Sequence, residues 1–170
     1  MHPYHHPLFV QFLVYFNTNG DYFEGHEVLE DYWKSVSAHT KIHPLTAFIL
    51  LTTGMYHWRR GNFEGSSRTL HKAQQRFREA IPLFPDYAEE IDLDGLLLDM
   101  DNAVRTIRDR QPFKPFAIRG LSPDLAGKTQ AAALTLPLLP AGSDPVIHKH
   151  MLRDRTDILR LRDEKKKSGR

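Results

Sequence analysis

The stretch Phe16-Asn17-Thr18-Asn19-Gly20-Asp21-Tyr22-Phe23-Glu24-Gly25-His26-Glu27-Val28-Leu29-Glu30-Asp31-Tyr32-Trp33 holds one chain reversal, the start of one helix, five carboxylates and a histidine. Residues 17–20 are turn-formers that end a preceding apolar helix. Asp21 followed three positions later by Glu24 fits an N-terminal cap, because a carboxylate there satisfies free backbone amides and sits at the positive end of the helix dipole. The helix that follows runs to about residue 36. Its wheel sets Gly25, Leu29, Tyr32 and Val36 on one side, Glu27 and Glu30 nearly opposite, and His26 and Trp33 on the boundary.

Working outward, Pro7 opens the first helix, and Phe9, Phe12, Leu13 and Phe16 recur at helical spacing with apolar residues on the remaining faces. Downstream, Pro44 opens a third helix that ends near Tyr56-His57-Trp58-Arg59-Arg60. Gly61 reads as its stop and Asn62 as the cap of a fourth, giving a helical hairpin with Phe63, Leu70, Phe77 and Ile81 on the inner seam. Pro82 and Pro85 break that helix, and a fifth starts near Asp92 with Leu93, Leu96, Leu97, Met100, Val104 and Ile107 in register. No alternating strand pattern interrupts the series. The predicted fold is all-α: a compact bundle of about five main helices over residues 1–110. Six prolines from Pro112 to Pro145 predict an extended arm over residues 111–147, packing on the bundle or on a neighbour. Residues 148–170 form a basic C-terminal segment, with a short final helix expected from Asp144-Pro145 through Leu159.

A chain of 170 residues with 41% hydrophobic composition can bury one sizeable core. With no cysteine, disulfides and thiolate metal sites are excluded, so any metal must sit on imidazole and carboxylate. The longest stretch free of Asp, Glu, Lys and Arg, residues 42–58, is too short and too polar for a membrane span. The N-terminus lacks the flank and cleavage pattern of an export signal, and a cytoplasmic location is expected. The net charge of +2 divides unevenly, because residues 148–170 carry nine Lys or Arg against four Asp or Glu and leave the rest at about −3. That tail has no interleaved aromatics, which disfavours nucleic acid as a specific partner.

The residues Phe16-Asn17, Gly20, Tyr22-Phe23-Glu24, His26-Glu27-Val28-Leu29-Glu30, Trp33, Tyr56-His57, Arg60-Gly61-Asn62 and Gly65 resemble, in order and spacing, the prokaryotic family known as domain of unknown function 309. The resemblance covers roughly residues 8–84 and leaves out the arm and the tail. Gly25 stands where the family pattern has Ala, and Leu50 where it often has Gln. Members are small helical proteins often described as predicted metal-dependent hydrolases, so the resemblance implies a divalent metal and a hydrolytic activity.

The residues themselves support a site without naming its reaction. His26 and Glu30 stand one turn apart, and Glu27 is within a turn of both, so His26, Glu27 and Glu30 converge beside one helix, and His57 faces them from another. His26, Glu27, Glu30 and His57 are the candidate metal ligands, with Glu27, Glu30 and His57 as candidate acid-base or catalytic groups. Arg60 and Trp33 are the candidate substrate contacts, although Trp33 also reads as packing. Asp21, Glu24, Gly61 and Asn62 are read as structural. The segment lacks the second histidine of the zinc-protease helix and the Glu-x-x-His pair of di-iron bundles. Histidines at helix boundaries beside aromatics also fit plain core histidines that link helices two and three. The competing reading is a non-catalytic interaction module or homodimeric scaffold, built on the apolar first helix and the arm, with a small-molecule or peptide ligand left open. His2, His5 and His6 read as scavengers of adventitious metal.

Overall fold

The computed structural model describes residues 1–37 and 40–148. Its helices are α1 (Pro7–Val14), α2 (Tyr22–Ser37), α3 (Pro44–Arg59), α4 (Phe63–Ala80), α5 (Leu93–Arg108), α6 (Pro123–Thr135) and the short α7 (Asp144–Ile147), and no strand occurs among the described residues. Most starts carry a local cause. Asn62 Oδ1 accepts from Gly65 N, Asp92 Oδ1 from Gly95 N and Ser122 Oγ from Leu125 N, each satisfying an amide that the helix itself leaves free. Three starts use histidine: His2, His6 and His43 stand immediately before Pro3, Pro7 and Pro44, and each accepts through Nδ1 from the amide two positions on. Proline fixes the first helical φ, and the imidazole nitrogen serves as the cap.

The core lies where α1, α2, α3 and α4 meet. Phe9, Phe12, Phe48 and Phe77 are fully buried there, with Phe48 edge-on to Phe9 and Phe77 at centroid distances of 5.2 and 4.9 Å. Burying a phenylalanine of this kind contributes roughly 2–3 kcal/mol, and edge-to-face pairing adds to that. The α3–α4 hairpin is packed backbone to side chain at Gly54, where a Cβ would lie 2.6 Å from Leu70 and where the Gly54 carbonyl accepts from Ser66 Oγ.

Two expectations change. The first helix does not stop at a plain turn: α1 widens into a π-helical turn over Tyr15–Asn19, closed by Gly20 at φ +64°. The expected extended arm over 111–147 is helical for much of its length, because Ser122-Pro123-Asp124 starts α6 and its small residues, alanine above all, favour helix. α6 packs on α1, so apolar surface of α1 that motivated a homodimer is covered from within the chain. Before α6 the chain runs along the bundle. Asn17 pairs with the Ile118 backbone in both directions, at 3.0 and 2.8 Å, and Phe113 stands edge-on to Trp58 at 5.2 Å. The final helix spans Asp144–Ile147, and the rest of the predicted one lies outside the described residues. No helix among the described residues is long and apolar enough to cross a membrane.

Candidate functional site

Asp21 is buried and its Oδ1 accepts from Glu24 N at 3.2 Å, which fixes the first turn of α2. The Asp21 amide donates to Tyr15 O in the π turn, so backbone takes the reciprocal half of the capping box, while Glu24 lies in the acidic first turn. Arg59 holds the same corner from α3. Its guanidinium donates to Gly20 O at 2.6 Å and to Val146 O at 3.0 Å, and it lies 4.6 Å from the Tyr22 ring centroid. With the corner pinned, helical spacing sets where His26, Glu27 and Glu30 emerge.

Those three come together. His26 Nδ1 is 3.7 Å from Glu27 Oε1 and 3.8 Å from Glu30 Oε2, and one donor atom from each residue falls within 4.8 Å of the others. All three side chains are half-buried, and Lys34 Nζ stands 3.6 Å from the other Glu30 oxygen. The contacts exceed hydrogen-bond length, so the nitrogen and the two carboxylates are held near one another without consuming each other's lone pairs. One imidazole and two carboxylates form a donor set suited to a divalent ion such as zinc or manganese.

His57 is not within that group of three. It meets His26 at a cavity of about 190 Å³ between α2 and α3, lined by Tyr22, Phe23, His26, Thr53, Tyr56 and His57. Its Nδ1 is buried without a hydrogen-bond partner. Burial lowers the His57 pKa from 6.5, and the Arg60 and Arg68 charges lower it further, so the ring is neutral at pH 7. A neutral imidazole with an unused nitrogen can accept a proton or ligate a metal.

The other predicted residues stand apart from the cavity wall. Glu27 and Glu30 lie beside it on α2, with side chains 41% and 33% exposed. Arg60 places its guanidinium 5.3 Å from the Tyr56 ring centroid, and Trp33 donates its indole N–H to Thr40 O at 3.0 Å. Gly61 adopts φ +79° at the α3–α4 turn, and Asn62 caps α4. What the sequence reading missed is the role of aromatic rings in shaping the hollow: Phe23 and Tyr56 had no assigned part, though their rings lie 6.1 Å apart at its wall. The available signal was their adjacency to His26 and His57 in sequence.

The N-terminal histidines are occupied. His5 Nε2 is 2.6 Å from Glu90 Oε1, His2 Nδ1 is 3.2 Å from Glu90 Oε2, and Ser122 Oγ donates to Glu90 Oε1 at 2.7 Å. His6 caps α1 and stacks on Tyr32 at 4.1 Å. They therefore act as structural groups rather than the free scavengers the sequence suggested.

No solved structure matches the chain. It is 31% identical over 175 residues to the uncharacterized protein YpuF of Bacillus subtilis (strain 168), covering 95% of this chain and 97% of that one. The sequence model of a domain of unknown function, DUF309, matches residues 9–69, the portion that holds the π turn, the His26 cluster and His57. By this family match and this full-length relative, the chain belongs to the domain of unknown function 309 family.

Proposed function

We propose that the chain is a metal-dependent hydrolase whose ion is held on α2 by His26, Glu27 and Glu30, with His57 completing the site from α3. The observation that carries this reading is the convergence of the three donor atoms within 4.8 Å, with His26 on the wall of a cavity that it shares with His57, whose neutral ring leaves Nδ1 without a partner. A bound divalent ion would supply Lewis acidity and an activated water. The chain's own groups do the rest. Tyr22, Phe23 and Tyr56 give the hollow apolar walls that exclude bulk water and strengthen electrostatic interactions inside it. The neutral His57 ring takes up a proton, while the positive charge of Arg60 and Arg68 favours the return of that proton to a leaving group. Arg60, with its guanidinium 5.3 Å from the Tyr56 ring centroid, would meet an anionic portion of the substrate that extends beyond the hollow.

Metal-stripped full-length protein, titrated with Mn²⁺ or Zn²⁺ by calorimetry and then assayed on a panel of ester and amide substrates, tests the reading. Saturable binding should be lost in Glu27→Gln, and metal-dependent hydrolysis should fall at least about a hundredfold in His57→Ala, in line with loss of a general base. Unchanged metal binding in Glu27→Gln, or hydrolysis indifferent to His57, rejects it.

A further inference from the structure

A second cavity, of about 460 Å³, lies in the groove where α4 packs against α5. Its wall includes Arg68 and His71 from α4, Arg108 from the last turn of α5, and Arg110 just beyond it. Phe63 and Ile107 form an apolar floor, and Glu64 is the lining carboxylate. Among the described residues, Arg68, Arg108 and Arg110 make no side-chain hydrogen bond or ion pair. Arg110 sits over the Phe63 ring at 5.7 Å. No lining residue belongs to the His26 cluster or to the cavity beside it, although the positive field of Arg68 reaches His57.

Three arginines lining one hollow, none of them paired with a carboxylate, need an explanation. Arg108 has one in the α5 dipole, which favours a cation in the last turn. Arg68, on α4, does not share it. Arg110 also takes φ +53°, at a helix C-terminus where glycine is the usual occupant, and an arginine there costs backbone energy. The chain accepts that cost and places a planar cation over an aromatic ring at the groove.

We infer that this groove binds a nucleotide-sized organic phosphate. Guanidinium forks match phosphate oxygens in geometry as well as charge, and three of them against one carboxylate suit a dianion. The volume is well above that of inorganic phosphate and within the range of small-molecule sites, and Phe63 with Ile107 offers a face for a flat organic group. A nucleic-acid backbone fits less well. The surface is concave, Glu64 stands in its path, and residues 1–147 carry a net charge of about −3.

The test uses the full chain in chelator at low ionic strength, so that the metal site is silent, and titrates ADP, inorganic phosphate, adenosine and a short DNA duplex by calorimetry. ADP should bind at a single site, more tightly than phosphate, and adenosine should not bind measurably. Arg68→Gln with Arg108→Gln should weaken ADP at least about tenfold, the corresponding lysine pair should retain part of the affinity, and Glu64→Gln should tighten it. Lys72→Gln, an exposed charge on α4 outside the lining, should change nothing. Because all these side chains are exposed, the fold survives each change, as circular dichroism will verify. Failure of ADP to bind, equal affinity in the double glutamine variant, or adenosine binding as well as ADP overturns the inference. Duplex binding that exceeds ADP and disappears in the same double variant overturns the small-ligand assignment.

Discussion

Two histidine–carboxylate clusters in this molecule look alike in composition and differ in what their atoms are doing. At the N-terminus, Glu90 accepts from Ser122, contacts His5 at 2.6 Å and His2 at 3.2 Å, and Lys128 Nζ lies 2.7 Å from His5 Nδ1. On α2, His26 stands 3.7 and 3.8 Å from its two carboxylates, and His57 nearby keeps a buried nitrogen unpaired. The first cluster ties the N-terminal segment, the linker before α5 and the start of α6 together, and its imidazole nitrogens are all engaged, His5 with Glu90 and Lys128, His2 with Tyr4 N and Asp86 O. The second has capacity left over. A satisfied cluster stabilises the fold, whereas an unsatisfied one at the edge of a cavity is free to bind.

The largest expected effect concerns a third kind of histidine, used purely as a cap. His43 is 4% exposed and burial pulls its pKa from 6.5 down to about 4. The unfolded chain therefore binds this proton more readily than the native one. Stability attributable to His43 is fully present above pH 6.5 and is lost as the pH falls toward about 4, by on the order of 3 kcal/mol. Denaturant unfolding at a series of pH values should show the slope, and His43→Asn, which keeps a cap and removes the titration, should flatten it.

The satisfied cluster comes next. Burial raises the Glu90 pKa, but hydrogen bonds from His5 and Ser122 and the fields of His2 and His5 outweigh it, so the net shift is downward. Its stabilising contribution is present above the ordinary carboxylate pKa and falls away as acid carries the pH through the lower folded value. Glu90→Ala removes the shared acceptor of the cluster and should cost about 2 kcal/mol in urea unfolding at pH 7. A cost near zero would erase the contrast between the two clusters. The smallest effect belongs to the other side: in metal-free protein, His26→Ala should change stability by no more than about 0.5 kcal/mol, because its contacts are loose and half-exposed.

The sequence disclosed the helices through periodicity and punctuation, and the α3–α4 hairpin through Gly61-Asn62. It disclosed the convergence of His26, Glu27 and Glu30 because one-turn spacing on a helix is local geometry. Residues 111–147 were harder to read, since prolines dominate them and mask Ser122-Pro123-Asp124, an ordinary helix start. The His-Pro dipeptides at 2–3, 6–7 and 43–44 were equally plain in sequence, yet histidine is an unfamiliar cap and its Nδ1 role appears only when the amide two positions on is seen donating. The pairing of His5 with Glu90 spans 85 residues and no local pattern announces it. The same is true of the arginine groove, where Arg68 read as a water-facing residue until α5 brought Arg108 and Arg110 beside it.

Spare coordinating capacity on α2 should fill with a divalent ion in preference to the N-terminal cluster. A structure determined on protein stripped of metal and then supplied with Mn²⁺ at stoichiometric concentration, with anomalous data collected, tests it directly. An anomalous peak bound by His26, Glu27 and Glu30 is expected, with the His2–His5–Glu90 cluster unoccupied. A peak at the N-terminal cluster, or none on α2 with the three side chains unmoved, would contradict it.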